Sequence, residues 1–206
     1  MFRPFNAAFW RNMPLFRVRP RIQCFVERRF FSAKAIYASF PCTLHYYSPR
    51  KTSSLYNQED KNTRPYRIVD EEVKVSNNGL LYPAVRATSI SNGATMYPNT
   101  FLMQELVRRY FDENIDREEE GETVETPYIY TIAKGTKLPA DLVLINDYIS
   151  KFSLQPSRGM PVEELNGILD ELYEKCAHKE TADQWIDTHQ FHDAVADDAD
   201  ALWMAQ

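Results

Sequence analysis

The chain has 206 residues, 44% of them hydrophobic and 13% aromatic, which suits one domain with appendages. A formal net charge of -5 excludes a chain that is basic throughout, so no nucleic-acid partner is expected. Cys24, Cys42 and Cys176 form neither a CxxC pair nor a Cys/His cluster, and no run of apolar residues is long enough for a transmembrane segment; no disulfide framework, metal site or membrane span is expected, and the compartment reads as reducing.

Residues 1–31 differ in kind from the rest. Arg3, Arg11, Arg17, Arg19, Arg21, Arg28 and Arg29 face a single acid, Glu27, while Phe2, Phe5, Phe9, Met13 and Phe16 recur at helical spacing. An arginine-rich, acid-poor, amphipathic leader reads as a mitochondrial transit peptide, with the import machinery as its partner. Arg29-Phe30-Phe31-Ser32 places a presequence cut between Phe31 and Ser32. Pro4, Pro14 and Pro20 interrupt a long helix and leave a disordered basic arm, or a wrongly assigned start codon, as the other readings. Without import the location is cytoplasmic.

The folded domain is expected over residues 40–176. Phe40 to Tyr47 reads as a first strand, rich in aromatic and β-prone residues. A basic stretch follows, with a short element near Leu55-Tyr56. Asn77-Asn78-Gly79 reads as a turn and Leu80-Leu81-Tyr82 as a brief strand stopped by Pro83. Ser91 to Thr100 then joins an Asn92-Gly93 turn, expected to use positive φ, to a helix from Phe101 to Phe111 started by Asn99 or Thr100. Exposed N–H groups at such a helix entrance receive an anion or a nucleotide phosphate, or the stretch is a plain capped turn.

Residues 112–125 carry Glu118-Glu119-Glu120 and read as a solvated, mobile loop. Strands are expected at Tyr128–Ile132, Leu142–Ile145 and Phe152–Gln155. Pro161 opens a helix whose apolar side is Leu165, Ile168, Leu169, Leu172 and Cys176. Residues 177–206 are acidic and read as a flexible tail, although Trp185, Phe191 and Trp203 suit a weak helix or a docking segment.

Three blocks in order resemble the ADP-ribosyltransferase-like toxin domain of the type VI secretion effectors, the Tse-type toxins, with fungal relatives. The first runs through Asn78-Gly79-Leu80-Leu81-Tyr82-Pro83-Ala84 to Asn92-Gly93-Ala94-Thr95-Met96-Tyr97-Pro98-Asn99-Thr100 and Met103-Gln104-Glu105. The second joins Tyr130-Thr131-Ile132 to Lys134-Gly135-Thr136-Lys137-Leu138-Pro139-Ala140-Asp141-Leu142-Val143-Leu144, and the third is Phe152-Ser153-Leu154-Gln155-Pro156 with Met160 and Leu165-Asn166.

The resemblance implies an α/β fold of the α+β type: two small sheets with flanking helices around a cleft for NAD as substrate. It implies a transferase that moves ADP-ribose to a protein or small-molecule acceptor, or hydrolyses NAD. Gln155 on the late strand and Thr95 in the glycine-hydroxyl motif are the catalytic candidates. His45, Tyr46, Asn92, Gly93, Tyr97 and Arg86 are the cofactor-binding candidates, with no metal. Where relatives read Thr-Leu-Tyr-Arg, this chain reads Thr43-Leu44-His45-Tyr46, so Tyr46 stands at the clamping arginine's place. His45 points to the opposite face from Tyr46, and Arg50 is a further cation nearby. Each candidate has a plain counterpart: a surface strand histidine, a turn hydroxyl, an amide paired with backbone, a solvated arginine. The competing function is a catalytically degenerate interaction domain with the same fold in mitochondria.

Overall fold

The computed structural model describes residues 34–57, 71–86, 89 and 91–194. The basic leader with its expected cut, the segment 58–70 and the last twelve residues of the acidic tail lie outside the described residues.

The strands are β1 (Ala35–Tyr37), β2 (Leu44–Ser48), β3 (Tyr56–Asn57), β4 (Glu72–Val73), β5 (Ala94–Met96), β6 (Tyr128–Ile132), β7 (Leu142–Tyr148), β8 (Lys151–Pro156) and β9 (Ala177–Thr181). The helices are α1 (Phe101–Glu119), α2 (Val162–Cys176) and α3 (Ala182–Thr188). One antiparallel sheet has the order β1-β7-β8-β5 and the other β2-β6-β9, with β3 and β4 as a short parallel pair. This is a mixed α+β domain of small sheets with flanking helices. The two larger sheets meet where His45 N–H donates to Tyr97 O at 2.7 Å and Tyr97 N–H donates back to His45 O at 3.0 Å.

Period-two alternation divides the side chains between two cores. Leu44, Tyr46, Ala94, Met96, Phe152 and Leu154 point into the larger one, closed by Leu165, Leu169, Leu172 and Tyr173 of α2. On the opposite side, Tyr47, Tyr97 and Ile129 meet Met103, Leu106, Val107 and Tyr110 of α1, with Ala182 and Trp185 of α3. Trp185 is fully buried, which contributes roughly 4–6 kcal/mol by area.

Several expectations need correction. The strand expected from Phe40 to Tyr47 is not the first, which is β1, and it starts at Leu44; Phe40 is buried, but its backbone bonds to the turn at Gly135 and Thr136 instead of to a strand. α1 does not stop at Phe111 but runs through the acidic stretch to Glu119 and ends before Gly121, whose φ is 87°. Its charges are the outer face of a helix, with Arg109 beside Glu113 at 3.8 Å. Thr100 is its N-cap and accepts from Met103 N–H at 3.3 Å. The expected flexible tail opens instead with β9, paired along β6, and α3, held by a capping box at Thr181 and Gln184. Cys176 is exposed and not part of the apolar side of α2.

Gly93 is not a positive-φ turn residue. It is needed because a Cβ there would lie 1.9 Å from the Leu154 carbonyl oxygen, a backbone atom of β8 that cannot step aside. Gly93→Ala is therefore expected to lower stability by about 3 kcal/mol, read as a fall in the urea midpoint with the slope unchanged.

Candidate functional site

In the β5–β8 ladder Ala94 opposes Leu154, Thr95 opposes Ser153 and Met96 opposes Phe152. Directly opposed residues share a face, so Thr95, Ser153 and, two residues on, Gln155 stand together on the side away from the larger core. Tyr97 is two residues beyond Thr95, and the bridge sets His45 opposite Tyr97. One continuous face therefore carries His45, Tyr97, Thr95, Ser153 and Gln155. Tyr46 points the other way, 2% exposed, with its ring stacked on Tyr173 at 5.1 Å. It cannot join the others, because neighbours along a strand alternate.

Gln155 is fully buried and both ends of its amide are engaged. Its Oε1 accepts from Ala84 N–H at 2.6 Å and its Nε2 donates to Ser153 Oγ at 2.7 Å. Val85 and Ser89 are each tied to Lys34, the residue before β1: Lys34 N–H donates to Val85 O at 3.2 Å and Lys34 Nζ to Ser89 O at 2.8 Å. Lys34 Nζ also pairs with Asp147 at 2.6 Å, both side chains nearly buried. β5 and β8 place no carboxylate on this face.

His45 is 3% exposed. Its Nδ1 lies 2.8 Å from Thr131 Oγ1 and 3.3 Å from Trp185 Nε1. An indole N–H only donates, so Nδ1 is the acceptor and the ring proton sits on Nε2. His189 stacks on Trp185 at 4.4 Å and meets His45 edge-on at 5.2 Å. Burial, and then the charge of His189, pushes His45 down to about 3, so it is neutral at pH 7. Gln104 holds this corner, donating to Asn99 Oδ1 at 2.7 Å and to His189 O at 3.1 Å.

The remaining sequence candidates fall elsewhere. Asn92 is a backbone staple, its Oδ1 accepting from Lys74 N–H at 2.7 Å and its Nδ2 donating to Tyr82 O at 2.9 Å. Gly93 serves the close approach to β8. Arg86 is exposed, two residues after the Ala84 that bonds to Gln155. Arg50 is half-exposed and 3.9 Å from Glu125. Ser153, Thr131, Trp185 and His189 lie on or against this face without having been site candidates in the sequence. The alternation Phe152-Ser153-Leu154-Gln155 is a signal for Ser153. The four-residue spacing of Trp185 and His189 is a signal for the other pair.

His45 supplies a pH test. The unfolded chain takes up a proton near pH 6.5, whereas folded His45 resists until about pH 3. Its contribution to stability is complete above the unfolded value and is lost as pH falls through that window. His45→Asn, which keeps an acceptor for Trp185, is expected to flatten the stability profile there by up to about 1.4 kcal/mol per pH unit, measured by urea unfolding at stepped pH.

The model of the Tse2 ADP-ribosyltransferase toxin family matches residues 42–185, more than half of the chain. The match starts just before β2 and ends at Trp185, so it spans the strands and helices that build this face. No curated protein matches the chain. On this match, and with the α+β architecture described, the chain belongs to the Tse2 ADP-ribosyltransferase toxin family.

Proposed function

We propose that the face carrying His45, Thr95, Ser153 and Gln155 binds NAD as substrate, and that the domain passes ADP-ribose to a protein or small-molecule acceptor, or to water. The observation that carries the reading is the convergence of a neutral histidine from β2, a threonine from β5 and an amide from β8 on one face. In this chemistry the bond between nicotinamide and ribose breaks, nicotinamide leaves with the electron pair, and the acceptor's nucleophile takes the ribose carbon. His45 offers an Nε2–H donor for a ribose hydroxyl. Thr95 and Ser153 offer hydroxyls that both donate and accept. Gln155 is aligned by Ser153 and by Ala84, and its amide accepts from a hydroxyl once Ala84 yields.

An amide holds hydroxyls but does not neutralise the positive charge that develops on the ribose, as a carboxylate does. Slow turnover follows from the wild-type residue. Gln155→Glu keeps the acceptor for Ala84 N–H and replaces the Nε2 donor with an oxygen to which the Ser153 hydroxyl turns and donates, so it is expected to raise NAD cleavage by about tenfold or more. Thr95→Ala and Gln155→Ala are each expected to depress it. Nicotinamide release, measured alongside calorimetric NAD titration, reads all of these. Unchanged release in Thr95→Ala and Gln155→Ala removes both residues from the site.

One observation favours a second reading, a catalytically degenerate interaction domain: the protein itself satisfies both ends of Gln155. Absence of heat at about 5 mM NAD selects it, since substrate constants of working enzymes lie below about 1 mM.

We further propose, from the arginine-rich leader, that residues 1–31 carry the domain into mitochondria. A fluorescent protein fused after residue 40 is expected to colocalise with mitochondria and to lose its leader; a diffuse cytosolic signal overturns this.

A further inference from the structure

We propose that the cavity between α2, β6, β9 and Lys51-Thr52 is a second ligand site, separate from the Thr95 face, for a phosphate monoester carried on a flat, amino-bearing ring. The cavity holds about 410 Å³, within the range of small-molecule sites. Its walls include Lys51, Lys179, Tyr130, Tyr173, Asp170 and Glu174. Tyr130 opposes Tyr46 on one side of β6 and Lys179 on the other, so this lining lies on the Tyr46 side of the sheet. His45 and Trp185 stand on the opposite side. The two sites are therefore back to back.

The two lysines point to an anion. Lys179 Nζ sits 3.8 Å from the centre of the Tyr128 ring and 5.4 Å from that of Tyr130. Burial, and then the Lys51 ammonium, pushes Lys179 down, so the two like charges feel one another. Among the described residues neither lysine has a carboxylate within ion-pair distance, although Asp170 and Glu174 line the same cavity. Two neighbouring ammonium groups suit a dianion, hence a phosphate monoester rather than a carboxylate.

The rest of the cavity points to a ring with donors. Tyr173 is 2% exposed, so it offers the cavity the edge of its ring, its hydroxyl being shielded from water. Tyr130 and Tyr173 stack at 4.8 Å and form an aromatic wall. The lip is preformed: Tyr130 Oη donates to Lys51 O, and Asp170 Oδ1 accepts from Ser53 N–H at 2.6 Å. The acids on the α2 wall repel an anion and accept from an exocyclic amine, which sets the orientation: phosphate toward the lysines, ring amine toward Glu174.

The test is calorimetric titration of the full chain with AMP, adenosine and inorganic phosphate. AMP is expected to bind, with adenosine and phosphate each at least about tenfold weaker. Lys51→Ala combined with Lys179→Ala is expected to weaken AMP at least about tenfold, with the melting temperature kept. Lys179→Gln alone serves should the double variant misfold, and is expected to weaken AMP severalfold. Thr95→Ala is expected to leave AMP binding unchanged, which separates this site from the NAD-binding face. No heat with AMP at about 5 mM overturns the proposal, as does equal binding of inorganic phosphate, or loss of AMP binding in Thr95→Ala but not in the lysine variants.

Discussion

The pair of backbone hydrogen bonds between His45 and Tyr97 is the joint on which the rest depends. It is an isolated bridge, not part of a ladder, yet it connects the β2-β6-β9 sheet to the β1-β7-β8-β5 sheet. Because opposed residues share a face, the bridge lines up side chains from distant parts of the chain. Slipping it by one residue would turn every side chain of β2 over relative to β5 and β8. Tyr46 would then share a face with Thr95 and Gln155, and His45 would point at α2.

The same alternation explains how one domain carries polar groups on a face that is nearly dry. A buried polar group left unpaired costs about 1–3 kcal/mol, and Gln155 and His45 are both given partners. Ser153 and Ala84 serve Gln155, while Trp185 and Thr131 serve His45. These partners also fix orientation: the indole donor decides which ring nitrogen of His45 carries the proton. The arrangement holds donors and acceptors ready, while β5 and β8 place no carboxylate on this face.

Much of the fold is legible in the residues. β6, β7 and β8 follow from local alternation and apolar runs, and α2 from Pro161 with its apolar side. The order of the three family-like blocks is enough to name the family. The opposite facing of His45 and Tyr46 is also readable, but which of them meets Thr95 depends on a pairing across fifty residues that no local pattern reports. α1 is underestimated because dense charge reads as loop, although a helix with one face in solvent needs charge there. β9 and α3 are missed because their stability comes from pairing with β6 and from burial of Trp185. Gly93 shows a third kind of limit: the sequence marks the need for a residue without a side chain, but close approach and left-handed backbone demand the same letter.

Lys34 anchors the leading end of the described domain. It is tied to Asp147 and to Ser89, and both ionic partners are shielded from water, with Asp147 Oδ2 already unpartnered. Losing Lys34 strands a lone anion in a dry setting, at a cost of about 3–5 kcal/mol. It also frees Val85 and Ser89, which Lys34 holds through its backbone and its ammonium, so one cation couples the start of β1 to the far end of β7.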